Sequence, residues 1–151
     1  MYLLDTTHCI EYFQANSIIR QRLSRLERAS IGSWVIIRAE LLYMALRSNQ
    51  VEQNIALVDR FLSETAIYPV DDPTADAFAR IKIAIFNRFG PKEKSRQRRF
   101  TLSTLGLTDN DLWIAAIALR HNLIVVTSDG DFARIAEVTD VRHESWLVAD
   151  E

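Results

Sequence analysis

Residues 108–129 read TDNDLWIAAIALRHNLIVVTSD. Thr108 suits a helix N-cap, and Trp113, Ile114, Ala116, Ile117 and Leu119 carry the helix to His121. Leu123 to Thr127 follows as a short run with Ile124, Val125 and Val126 consecutive, then the turn residues Ser128 and Asp129. An unbroken apolar run, rather than an alternating one, belongs to a strand covered on both faces. A helix feeding such a strand is the repeating unit of a parallel sheet clothed in helices.

The same unit is read outward from this stretch. Tyr2-Leu3-Leu4 is a short buried strand that stops at Asp5. Thr6 and Thr7 are expected to cap a helix through Ile10, Tyr12 and Phe13 to about Ala15, and Asn16-Ser17 separates it from a second helix with Ile18, Ile19, Leu23 and Leu26 on one face. Ala29 to Gly32 is expected to form a second strand, with Ser33 capping a helix that contains Glu40. An amphipathic helix over Val51 to Ser63 leads to a third strand near Ala66 to Val70. Asp71-Asp72-Pro73 opens a helix that ends at Gly90-Pro91. A short helix near Asp131 to Ala136 and a last strand near Val141 to Glu144 complete the alternation. Right-handed crossovers between parallel strands give an α/β fold, a three-layer α/β/α sandwich around a central parallel sheet of four or five strands. The 151 residues suit a single domain, 1–151. Residues 92–107 have no clear periodicity and read as an exposed basic loop or insertion.

Composition excludes several classes. With 48% hydrophobic and 25% charged residues the chain is an ordinary globular protein, not a disordered one. No apolar run approaches the roughly 20 residues that span a bilayer, and no signal-peptide pattern opens the chain. Cys9 is the single cysteine, so no internal disulfide forms, and a cytoplasmic location is the default expectation. The net charge of −2 does not advertise a nucleic-acid binder, but its distribution is uneven. Lys92, Lys94, Arg96, Arg98 and Arg99 fall close together, and Arg20, Arg22, Arg25 and Arg28 form a second basic group. A run of cations is either a solvated face or a contact for an RNA backbone.

In an open parallel sheet, ligands bind beyond the C-terminal ends of the strands. Asp5 and Asp129 follow two strands and so share one rim, Asp111 opens the helix that leads into the second of them, and Glu40 lies on the helix after the second strand. Clustered carboxylates repel one another, and cations relieve that repulsion. Hard oxygen ligands suit Mg²⁺ or Mn²⁺, and no zinc-like spacing of histidine and cysteine is present. Metal-assisted hydrolysis of a phosphodiester is the chemistry such clusters commonly serve. Each acid also has a plain structural reading: Asp5 as a helix cap, Glu40 as a solvated helix residue, Asp111 in a capping box, Asp129 as a turn residue. Asp109 competes with Asp111, and Asp131 with Asp129, although Asp131 is expected to cap the short helix. His8, His121 and His143 have no evident partner in the sequence, and Trp34, Trp113 and Trp146 read as packing residues.

Met1-Tyr-Leu-Leu-Asp-Thr6, Ala39-Glu40-Leu41, Asn110-Asp111-Leu-Trp-Ile-Ala-Ala116 and Val126-Thr-Ser-Asp-Gly-Asp-Phe132 together resemble the PIN-domain nucleases, and most closely the VapC-type toxins of bacterial toxin–antitoxin pairs. The resemblance runs in order over nearly the whole chain. It implies a PIN-like sandwich that cleaves RNA with Mg²⁺ or Mn²⁺. Asp5, Glu40 and Asp111 take the three central acidic places, and Asp129 the more variable fourth. The resemblance also implies a homodimer and a VapB-like antitoxin partner. Two departures stand out: Thr7 replaces the usual asparagine, and the stretch from Lys92 to Leu107 looks longer than usual. The competing expectations are a PIN-type nuclease with a housekeeping role and a PIN-fold binding module without catalysis. All four acids being present argues against the second.

Overall fold

Tyr2–Leu4 (β1) is the middle strand of a five-stranded, wholly parallel sheet in the computed structural model, which describes residues 1–26 and 31–147. The other strands are β2 (Ile31–Trp34), β3 (Ala66–Tyr68), β4 (Ile124–Val126) and β5 (Arg142–Glu144). Their order is β3-β2-β1-β4-β5. Tyr2 stands opposite both Ile31 and Ile124, so β1 is paired on each side. The chain therefore builds outward from β1 through β2 and β3, then crosses back to add β4 and β5. Connections leave β1 and β4 in opposite directions along the sheet, and this is where an open α/β sheet presents its ligand crevice.

Burial explains why β1 and β4 are apolar without alternation. Leu3, Leu4, Val125 and Val126 are all fully buried, since helices cover both faces. The helices are α1 (Thr6–Phe13), α2 (Ser17–Arg25), α3 (Val35–Leu46), α4 (Val51–Ser63), α5 (Asp72–Phe89), α6 (Lys94–Gln97), α7 (Asp109–His121) and α8 (Ala133–Ala136). α5 packs along α7, and α3 along α4. The inner face of α7 contributes Leu112, Ala115, Ala116, Ile117 and Ala118, all buried, and the small alanines bring its backbone close to the core. Trp34 and Trp146 are buried, and Trp113 stacks on Phe78 with ring centroids 4.0 Å apart.

Four local expectations are corrected. Asp5, not Thr6 or Thr7, caps α1, its side chain accepting from the His8 N–H, because the strand ends one residue earlier than a threonine cap requires. Ser33 does not cap α3. It lies within β2, and α3 starts directly after Trp34 with no side-chain cap. Pairing of Gly32, Ser33 and Trp34 with Ala66, Ile67 and Tyr68 overrides the local capping signal of the serine. The expected start of that strand at Ala29 lies outside the described residues, as does Arg28 of the second basic group. Gly32 is needed at this pairing, since a Cβ there would meet the Tyr68 ring at 2.6 Å. Residues 92–107 are not structureless: α6 makes one turn, and a 3-10 turn over Leu102–Leu105 ends at Gly106 with φ of 76°. Elements of a single turn are too short to leave a periodicity in the sequence. Finally, Asp129 rather than Asp131 caps the turn after β4, accepting from the Asp131 N–H at 2.8 Å. Asp131 is ion-paired with Arg134 instead.

Candidate active site

The end of β1 fixes Asp5. Its backbone N–H continues the sheet by donating to the Val126 carbonyl at 3.0 Å, so Asp5 sits at the junction of β1 and β4. Asp5 is 9% exposed. Its Oδ1 accepts from both the backbone N–H and the ring Nδ1 of His8, each at 2.8 Å. Oδ2 has no hydrogen bond among the described residues.

Asp111 lies at the third position of α7 in a reciprocal capping box with Thr108. The Thr108 N–H and hydroxyl both donate to Oδ2 of Asp111 at 2.7 Å, which leaves Oδ1 open. Glu40, half-buried on α3, connects the two. Its Oε2 accepts from the hydroxyl of Thr6, the neighbour of Asp5, and its Oε1 accepts from Nδ2 of Asn110, the neighbour of Asp111, at 2.5 Å. Three segments distant in sequence are thus tied to one carboxylate. Asp129 follows β4 on the same rim, held by its N–H donating to the Thr127 hydroxyl at 3.1 Å. It is exposed, and no hydrogen bond links it to the other three. Asp109 is drawn off by an ion pair with Lys82 on α5, at 2.9 Å.

Cys9 reports the charge of the site. Burial pushes its thiol well above the ordinary range, and the negative charges of Asp5 and Glu40 add to the rise. The thiol is therefore inert, and it feels both carboxylates at once.

The donor set suits a hard cation. It consists of carboxylate oxygens, of which Asp5, Asp111 and Asp129 each keep one free, and the two oxygens of Glu40 are held only by neutral groups. Among the described residues no three such groups already stand together as a cation cage.

Three contributors escaped the sequence reading. His8 is fully buried rather than partnerless: its Nδ1–H points at Asp5 and its Nε2 accepts from the Trp146 backbone N–H at 3.4 Å. The only hint was its place three residues after Asp5, within reach of a residue capping its own helix. Thr6 and Asn110 each sit beside an acid that was noted, and their hydrogen-bonding side chains were the available signal. Thr7, the departure from the family pattern, is exposed and makes no side-chain hydrogen bond among the described residues, so His8 is what supports Asp5.

The PIN domain family model matches residues 2–138. The chain belongs to the PIN domain family. Among curated PIN-domain relatives it is 30% identical to Ribonuclease VapC2 of Haemophilus influenzae over 148 residues, covering 97% of this chain and 98% of the relative. It is 29% identical to Ribonuclease VapC11 of Mycobacterium tuberculosis over 150 residues, covering 97% and 99%. This PIN domain also superposes on a chain of DNA-bound VapBC from Salmonella typhimurium with a TM-score of 0.75, at 24% identity and covering 97% and 98% of the two chains. That likeness is one of fold.

Proposed function

We propose that this PIN domain is a divalent-metal-dependent endoribonuclease and the toxin of a type II toxin–antitoxin pair. The observation that carries the reading is Glu40, which ties the neighbours of Asp5 and Asp111 together at the crevice between β1 and β4. The near-full-length likeness to ribonucleases named VapC supports the substrate class.

Asp5, Glu40, Asp111 and Asp129 are the residues to hold Mg²⁺ or Mn²⁺. When bound, the cation supplies an activated water and neutralises charge on the phosphate. His8 holds Asp5 by one oxygen and leaves the other without a hydrogen bond among the described residues. Thr108 does the same for Asp111, and the shared anchorage of Glu40 sets the spacing between them. The whole chain works as one domain. Lys92, Lys94, Arg96, Arg98 and Arg99 contact the RNA backbone. All five are exposed, and Lys92, Lys94, Arg98 and Arg99 have no ion pair among the described residues. Phosphate contacts of this kind add affinity and salt dependence without reading sequence.

The toxin reading brings a VapB-like antitoxin as partner, in line with the VapBC assembly of the Salmonella typhimurium structure, together with a homodimer and a cytoplasmic site of action. No described helix is long and apolar enough to cross a membrane. A small open reading frame for an antitoxin directly upstream separates this reading from a housekeeping PIN nuclease.

Purified protein is expected to cleave single-stranded RNA with Mg²⁺ or Mn²⁺, to stop on addition of a chelator, and to leave 5′-phosphate and 3′-hydroxyl ends, since water rather than the ribose 2′-hydroxyl attacks. Gel analysis of end-labelled RNA checks this. Undiminished cleavage in chelator, or 2′,3′-cyclic phosphate products, contradicts it.

A further inference from the structure

Two hollows meet at Phe100. The first, of about 520 Å³, is lined by Phe86, Phe100, Leu102 and Leu107, with Lys82 and Thr108 at its edge. The second, which Phe100 also lines, is bounded by Phe89, Pro91, Arg96, Arg99 and Thr104. Their chemistry differs. In the first, the aromatic rings of Phe86 and Phe100 meet edge to face at 5.7 Å, and the Lys82 ammonium is already matched by Asp109 at 2.9 Å. Thr101 and Ser103, whose hydroxyls are bonded to each other at 2.8 Å, also line it with hydrogen-bonding capacity to spare, as does Asp109. In the second, Arg99 has no ion pair among the described residues, and Arg96 has one with the exposed Glu93.

The first hollow adjoins the acids. Thr108 lines it, and the same threonine holds the Asp111 carboxylate through its N–H and hydroxyl.

We infer that Phe100 is the centre of a nucleotide-binding step, with one unstacked base of single-stranded RNA seated against Phe100 in the first hollow and the adjoining backbone phosphate at Arg96 and Arg99 in the second. The inference rests on the ribonuclease reading. Single-stranded RNA is held by splaying a base onto an aromatic ring while cations track the backbone, and Phe100 with Arg96 and Arg99 supplies both kinds of group. A mainly apolar pocket of several hundred cubic ångströms with a few polar groups at its rim suits a flat heteroaromatic ring. Binding by stacking admits every base, so the step sets where RNA enters rather than which sequence is cut.

The test is an abasic scan. A short single-stranded RNA is bound to Asp5→Asn protein, which keeps it uncut, and each position in turn is made abasic. One position is expected to lose affinity roughly ten-fold. In an Asp5→Asn, Phe100→Ala protein the intact RNA loses about the same factor and the abasic RNA loses nothing further, whereas Phe100→Tyr restores the wild-type scan. The scan of the parent protein requires no change at Phe100, so a folding defect of the alanine variant does not blunt it. A flat scan, or an abasic penalty that persists in Phe100→Ala, overturns the slot while leaving the ribonuclease reading intact if the unmodified protein still cleaves. A flat scan with a changed sedimentation coefficient in Phe100→Ala gives the hollow to a second copy of the chain and also overturns it. An unmodified protein that neither binds nor cleaves RNA overturns both.

Discussion

Asp5→Asn and Asp111→Asn each lower RNA turnover roughly 10³-fold and leave the melting transition nearly unchanged. The two effects separate because each carboxylate does two jobs with different requirements. At their helix starts, Asp5 as the cap of α1 and Asp111 in the capping box of α7, the two accept hydrogen bonds from His8 and Thr108. An asparagine oxygen accepts the same bonds, and asparagine is as good an N-cap as aspartate. The lost charge at the start of α7 costs about 0.3–1 kcal/mol through the helix dipole. Holding a divalent cation requires the negative charge itself, which the amide lacks. Steady-state cleavage rates alongside calorimetric melting check the pair. Wild-type turnover in Asp111→Asn transfers the role to Asp109, against the ion pair that draws Asp109 to Lys82. Asp129→Asn is expected to reduce turnover less than either, because Asp129 is exposed and unlinked to the others.

His8→Leu destabilises the protein by about 2–3 kcal/mol and lowers turnover at fixed Mg²⁺ roughly ten-fold or more. Leucine fills the buried space, yet it strands two polar partners: Oδ1 of Asp5 loses its side-chain donor, and the Trp146 N–H loses its acceptor. Trp146 is 2% exposed, so water does not replace that acceptor. His8→Asn divides the two consequences. Its amide N–H reaches Asp5 in place of Nδ1 but does not extend to Trp146, so activity returns further than stability does. Melting curves and the Mg²⁺ concentration giving half-maximal rate are the measurements. Equal loss of both quantities in the two variants would mean that His8 is a packing residue only.

The ease with which each part was read follows sequence distance. β1 and β4 are contiguous apolar runs closed by a polar residue, so local pattern suffices to identify them; Asp5 is the first polar residue beyond β1, and Asp129 follows Thr127 and Ser128 beyond β4. The α7 cap is likewise written in residues 108–111. β2 shows the limit: its position depends on partners in β1 and β3, and the capping signal of Ser33 pointed the wrong way. The connections that assemble the site are longer still. Thr6 and Glu40 are 34 residues apart, Glu40 and Asn110 are 70 apart, and His8 and Trp146 are 138 apart. A hydrogen bond over such a span leaves no period in the chain, and so His8 looked partnerless. The turns of residues 94–105 failed for the opposite reason, being too short to show a pattern at all.

The central claim is that Asp5, Glu40, Asp111 and Asp129 hold the cation that cuts RNA. Its most direct test is an anomalous difference map from crystals loaded with Mn²⁺. A peak is expected about 2.1 Å from the free oxygens of Asp5 and Asp111, at the rim held by Glu40, with no such peak in Asp5→Asn crystals. A peak elsewhere on the protein, or none at Mn²⁺ concentrations that support cleavage, would contradict it.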